Sequence, residues 1–180
     1  MDFGSQNRST IRKPKFTLDM LLYLLRHGDA VENPALHDSE RPLSDRGFEQ
    51  ARTAAQFFQR LHISFNLIIA SPLLRAQQMA APAREMLGVS HFLSSDYLLP
   101  GSNHQQLFDL LNAQEAGSVL LVGHEPHLST AIALLTAGET TARIEMKKAS
   151  CACVDIAKPL RKGQGTLKWL VTAEQMKLLQ

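Results

Sequence analysis

Leu21-Leu22-Tyr23-Leu24-Leu25 is an uninterrupted apolar run of strand length that stops abruptly at Arg26-His27-Gly28-Asp29. It reads as a buried strand that delivers an arginine and a histidine to the end of a sheet. In open α/β sheets the crevice at the carboxyl ends of the strands is where ligands gather, and Gly28 would let the backbone turn sharply or approach a bound anion. An isolated Arg-His-Gly tripeptide is more often a merely decorated strand end, so the rest of the chain has to decide.

The same arrangement recurs twice. Leu67-Ile68-Ile69-Ala70 hands over at Ser71-Pro72 to a helix from Leu73 to Leu87 that Gly88 stops. Ser118 to Val122 runs into Gly123-His124-Glu125-Pro126 and a helix from His127 to about Leu135. Between them lie a weaker strand around Phe92 to Ser95, a loop through Pro100-Gly101-Ser102-Asn103 and a helix from His104 to Ala113. Upstream, Ala51, Ala54, Ala55, Phe58 and Leu61 recur at helical spacing over Glu49 to Leu61, with Ser44 as N-cap. Cys151 to Ile156 and Thr166 to Val171 read as a closing strand pair joined across Lys158 to Gly165. Strands alternating with helices in this way predict an α/β fold: a three-layer α/β/α sandwich with a mostly parallel sheet and an antiparallel edge.

At 180 residues with 44% hydrophobic content, the chain suits one domain whose core needs no staples. That domain is assigned to residues 18–180. Residues 1–17 are polar, carry Arg8, Arg12, Lys13 and Lys15, and read as a flexible N-terminal extension. A net charge of only +2 argues against a nucleic-acid partner, although clustered arginines could still make one pocket strongly positive. No stretch has the length of a membrane span and no signal-peptide core is present, so a cytoplasmic protein without membrane association is expected. Cys151 and Cys153, two apart on one strand, leave the same face without the reach for a mutual disulfide, and read as small strand residues.

In a parallel sheet the three strand ends share one rim, which would gather Arg26, His27, Arg75 and His124. Arginine is suited to a tetrahedral oxyanion because its planar fork makes paired, charge-assisted bonds and stays ionised. Four short motifs stand in order: Leu25-Arg26-His27-Gly28; Pro42-Leu43-Ser44-Asp45-Arg46-Gly47 with Gln50-Ala51; Ser71-Pro72-Leu73-Leu74-Arg75-Ala76-Gln77-Gln78; and Val122-Gly123-His124-Glu125-Pro126. With them the chain resembles the histidine phosphatase superfamily, of phosphoglycerate mutase-like fold. Its size, the Arg-His-Gly-Asp start and Arg41-Pro42-Leu43 most resemble the compact phosphohistidine phosphatases of the SixA type.

The resemblance implies that His27 attacks phosphorus and carries the phosphoryl group, which water then removes. It implies that Arg26, Arg75 and His124 hold the equatorial oxygens, with Arg41 as a further phosphate ligand, and that a phosphate or sulfate ion could occupy the site. Imidazole suits the nucleophile's role, because at neutral pH one ring nitrogen is free while the other can be fixed as a donor to a backbone carbonyl. No cofactor is called for. Gly28, Asp29 and Ser71 are supporting candidates: Asp29 orients a catalytic group or caps the turn, and Ser71 donates to the site or, the favoured reading, caps the next helix. His124-Glu125-Pro126-His127 lacks the spacing of a helical metal site, and no metal is assigned.

Larger relatives supply a carboxylic acid from the segment after the third strand. Here Tyr97 to His104 contains no carboxylate, and Asp96 and Asp109, at a strand end and inside a helix, are poor substitutes; His104 is the other candidate acid. An alkoxide needs such an acid, whereas imidazole leaves with far less help. The expected substrate is therefore phosphohistidine on a protein, of the histidine-containing phosphotransfer type. The alternatives are a small phosphorylated metabolite, as for a general phosphomonoesterase, and a non-catalytic phosphoprotein-binding module.

Overall fold

The computed structural model of the chain describes residues 19–179; the expected extension at 1–17 lies outside them. In chain order the elements are β1 (Asp19–Arg26), α1 (Asp45–Arg60), β2 (Leu67–Ala70), α2 (Leu74–Met86), β3 (Phe92–Ser94), α3 (His104–Ala113), β4 (Ser118–Gly123), α4 (His127–Ala137), β5 (Cys151–Ala157), β6 (Thr166–Val171) and α5 (Ala173–Leu178). The strands form one six-stranded sheet in the order β3-β2-β4-β1-β5-β6. β1, β2, β3 and β4 run parallel, while β5 and β6 add the antiparallel edge.

β1 shows why its apolar run has no polar gap. Tyr23 and Leu25 enter a cluster built with Ala51, Phe58, Ala76, Met79 and Met176 of α1, α2 and α5. Leu22 and Leu24 enter a second cluster with Leu107, Phe108, Leu128 and Ile132 of α3 and α4. A central strand covered by helices on both faces needs apolar side chains at successive positions, which is the three-layer arrangement expected. Phe58 is fully buried and packs edge-on to Phe65, with ring centres 5.1 Å apart. Truncating such a side chain to Ala costs about 3–5 kcal/mol.

The helix N-capped by Ser44 begins at Asp45, earlier than the amphipathic run from Glu49 indicated, and the Ser44 hydroxyl accepts the Gly47 N–H at 3.2 Å. Three elements were not foreseen: α5 and two 3-10 turns, Asp38–Glu40 and Asp96–Leu98. The second turn moves Asp96 off the strand end on which it was placed. Cys151 and Cys153 are buried free thiols on the same face of β5. No helix among the described residues is long and apolar enough to cross a membrane.

Candidate active site

β1 and β4 are adjacent, and Arg26 is in register with Gly123, so the residues after each strand leave the sheet side by side. Backbone bonds hold that junction: the His27 N–H donates to the Gly123 carbonyl at 3.0 Å, and the Ser71 N–H, just past β2, donates to the Val122 carbonyl at 2.9 Å. The result places the His27 and His124 rings with centres 5.0 Å apart. The convergence expected from three strand ends is thus a property of the parallel register.

Each ring is held in a defined tautomer. His27 Nδ1 lies 2.7 Å from the Gly28 carbonyl, and since a carbonyl only accepts, the proton is on Nδ1 and Nε2 keeps its lone pair. Burial, reinforced by the charges of Arg75, Arg26 and Lys148 and opposed by the Gly28 bond, holds the His27 pKa down to about 4. At neutral pH the ring is therefore a free base.

His124 is 1% exposed, and its Nε2 lies 2.8 Å from the Ser71 hydroxyl. That fully buried hydroxyl accepts the Leu73 N–H at 3.4 Å and meets no other acceptor among the described residues, so its own proton goes to His124 Nε2 and leaves the hydrogen of the neutral ring on Nδ1. Burial first, then the charges of His27 and Arg75, keep the His124 pKa at about 3. Ser71 does not cap the next helix, as the favoured reading had it. α2 begins at Leu74 with no side-chain cap, and the completely buried hydroxyl is spent on His124.

Arg26 donates from NH1 to the Met146 carbonyl at 2.7 Å. Its Nε and His124 Nδ1 are both buried without a hydrogen-bond partner in the protein. Buried donors of this kind are costly unless something accepts from them. Arg75 is 5% exposed, and both its charge and that of Arg26 act on His27. Arg75 donates to Asp38, from NH1 to the carbonyl at 2.7 Å and from NH2 to Oδ2 at 3.0 Å. Arg41 donates to the other Asp38 oxygen at 3.2 Å and, from Nε, to the Val31 carbonyl at 3.0 Å.

The supporting candidates take specific places. Gly28 does not adopt a left-handed backbone. A Cβ there would lie 3.0 Å from both Gln50 Oε1 and the Gly47 carbonyl, so the absence of a side chain lets this turn pack against the start of α1. Gly47 is tighter still: a Cβ would come within 2.0 Å of the Asp29 carbonyl. Asp29 accepts from the Ser44 hydroxyl at 2.7 Å and from Lys148 Nζ at 2.6 Å. It ties two loops together at the rim and is bonded to neither histidine. Lys148 and Asp38 were both overlooked; Asp38, three residues before Arg41, carried the one sequence signal available. His104 donates from Nε2 to the His127 carbonyl at 2.9 Å and stacks on the His127 ring, which commits that nitrogen to the contact between α3 and α4. No group of three or more His, Cys, Asp or Glu among the described residues is placed to hold a metal ion.

Two imidazoles with assigned tautomers, set among guanidinium groups at the carboxyl ends of a parallel sheet, define a phosphatase of the histidine-phosphatase type. Residues 22–96 match the histidine phosphatase superfamily, branch 1, and the chain belongs to that superfamily. It is 28% identical to the phosphohistidine phosphatase SixA of Escherichia coli K12 over 88% of this chain and 98% of that protein. It is 33% identical to an uncharacterized protein of Picosynechococcus over 72% of this chain and 81% of that one. The structure of the protein histidine phosphatase SixA complexed with tungstate superposes with a TM-score of 0.78 at 27% identity, covering 87% of this chain and 99% of that one. A putative α-ribazole-5'-P phosphatase from Escherichia coli shares the fold, with a TM-score of 0.65 at 22% identity over 86% of this chain and 97% of that one.

Proposed function

We propose that the protein removes the phosphoryl group from phosphohistidine on a partner protein, passing it through His27 to water. The observation that carries this reading is a free His27 Nε2 on a ring 5.0 Å from that of His124, with buried, unpartnered donors on His124 Nδ1 and Arg26 Nε, a nucleophile beside groups suited to an oxyanion. In the first step the Nε2 lone pair attacks phosphorus and the bond from phosphorus to the substrate imidazole breaks, its electron pair staying on that imidazole. Arg26, Arg75 and His124 donate to the equatorial oxygens, where charge accumulates during transfer. Water then attacks the phosphohistidine, inorganic phosphate departs, and the His27 lone pair is restored.

The state of the neighbouring acids favours this leaving group. Arg75 holds the Asp38 carboxyl below the usual range, and Lys148 with Ser44 does the same for Asp29, so both are carboxylates at neutral pH. With His104 Nε2 bonded to a backbone carbonyl, these three groups supply no ready proton to an alkoxide. Imidazole, with a reference pKa of about 6.5, takes its proton from solvent. The SixA relative's activity points the same way.

The test compares hydrolysis of a phosphohistidine peptide with that of an alkyl phosphate. Phosphohistidine should be preferred by at least about a hundredfold in kcat/KM, the usual worth of one general-acid contribution. Preference for the alkyl ester would overturn the assignment and favour a general phosphomonoesterase.

A further inference from the structure

Asp38 belongs to none of the motifs that define the phosphate site, yet it touches two of its arginines. It opens the 3-10 turn that follows His37, and its two carboxylate oxygens go to different guanidinium groups, Oδ2 to Arg75 and Oδ1 to Arg41. Its backbone carbonyl takes a further, shorter bond from Arg75 NH1 at 2.7 Å. Arg75 is thus gripped through two of its five N–H groups, and the remaining three can face an oxyanion. Arg41 reaches Arg75 only through this carboxylate, since its other side-chain bond is to the Val31 carbonyl.

We propose that Asp38 is a positioning residue that couples Arg41 to Arg75 and thereby brings Arg41 into the phosphate-binding set. Two adjacent guanidinium groups repel and, being long and flexible, would otherwise have to be ordered and brought together by the substrate itself. A shared carboxylate does both in advance, which is the preorganisation that strengthens binding and transfer. Two other roles fit less well. Asp38 is ionised by its arginine contacts and so is no proton donor. Nor is it an internal anion that must leave: rotation of the carboxylate would free only one Arg75 bond, because the carbonyl bond belongs to the turn backbone. The inference deepens the function proposed above and rests on it for the identity of the bound oxyanion.

The experiment measures tungstate affinity by calorimetry, and kcat and KM for an aryl phosphate, on the full chain carrying Asp38→Ala, Asp38→Asn, Asp38→Glu, Arg41→Ala and the double change Asp38→Ala with Arg41→Ala. Asp38→Ala and Arg41→Ala should each weaken tungstate about tenfold, and the double variant should be no weaker than about either one alone, since the two act as a unit. kcat should fall more than KM rises, and Asp38→Glu should recover part of the loss. A variant that only loosened the fold would lower its melting temperature without this non-additivity or rescue. If Asp38→Ala does not fold, the isosteric Asp38→Asn carries the same cycle. Tighter tungstate binding in Asp38→Asn would overturn the proposal in favour of an internal competitor, and additive losses would overturn it by making Arg41 independent. Failure of the wild type to hydrolyse phosphohistidine, with the tungstate cycle intact, would strike the proposed function and leave Asp38 in place. An additive cycle in an enzyme that does turn over phosphohistidine would do the reverse.

Discussion

His27 and His124 stand with ring centres 5.0 Å apart and planes tilted by 56°, whereas His104 and His127 are stacked at 4.1 Å and 16°. Both pairs contain buried rings held far from the protonated state: burial keeps His127 at about 4, close to the value of His27. The difference lies in the charges around the rings. In the first pair, bonds to Gly28 and Ser71 assign the protons, leave His27 Nε2 and His124 Nδ1 without a partner in the protein, and set both rings within reach of the Arg75 charge. In the second, His104 spends its Nε2 on the His127 backbone, and the stack fastens α3 to α4. Neither a low pKa nor an unpartnered nitrogen therefore marks an active site, since both ring nitrogens of His127 are also buried without a partner; the arginine charges that act on His27 and His124, and not on His127, do.

This contrast can be tested by substitutions that should separate the pairs. His27→Ala should lower aryl phosphate turnover by on the order of 10⁴-fold or more, as loss of a nucleophile does, with the melting temperature little changed. Arg75→Ala should cost about 10²–10³-fold in kcat, the usual worth of a donor aimed at developing charge. Activity at pH 5.5 should remain close to that at pH 7.5, because His27 with a pKa of about 4 is still neutral there; a histidine at the ordinary 6.5 would have lost about tenfold. The sign is that activity is present above the depressed value and falls as pH drops through it. Stability should follow in the same direction. Unfolded histidines take up protons near pH 6.5 and the buried ones do not until about 4, so the melting temperature should decline across that window as pH is lowered.

Ser71→Ala should reduce kcat about fivefold, because the His124 proton loses its assignment to Nδ1 along with a bond of about 1 kcal/mol. His104→Ala, at the far pair, should leave kcat and KM unchanged while removing about 1–2 kcal/mol of stability with the stack and its hydrogen bond. A large loss of activity in that variant, measured at a temperature where it is folded, would erase the distinction between the two pairs.

Much of this is legible in the chain, and the reason is local. Leu21–Leu25, Leu67–Ala70 and Ser118–Val122 are short runs whose ends are marked by polar residues, and a parallel register brings such ends to one rim whatever else the fold does. What was misjudged depends on contacts between distant segments. Ser71 has the composition of a helix cap, but the helix starts three residues later and the hydroxyl meets His124, the residue just past β4. The packing of Gly28 against Gly47 and Gln50 across the loop is likewise invisible in the spacing. Asp38 gains its meaning from Arg75, which no spacing announces. α5 is a different case, since Thr172 and Gln175 form a capping box that the sequence displays, on a helix too short to show periodicity.

The claim on which the account turns is that His27 carries the phosphoryl group. Brief exposure of the full chain to a phosphorylated substrate, followed by quenching and mass spectrometry at neutral pH to spare acid-labile phosphoramidates, tests it directly. The account predicts a phosphorylated peptide containing His27 that disappears in His27→Ala. Turnover that persists with the phosphoryl group on another residue, or on none, would contradict it.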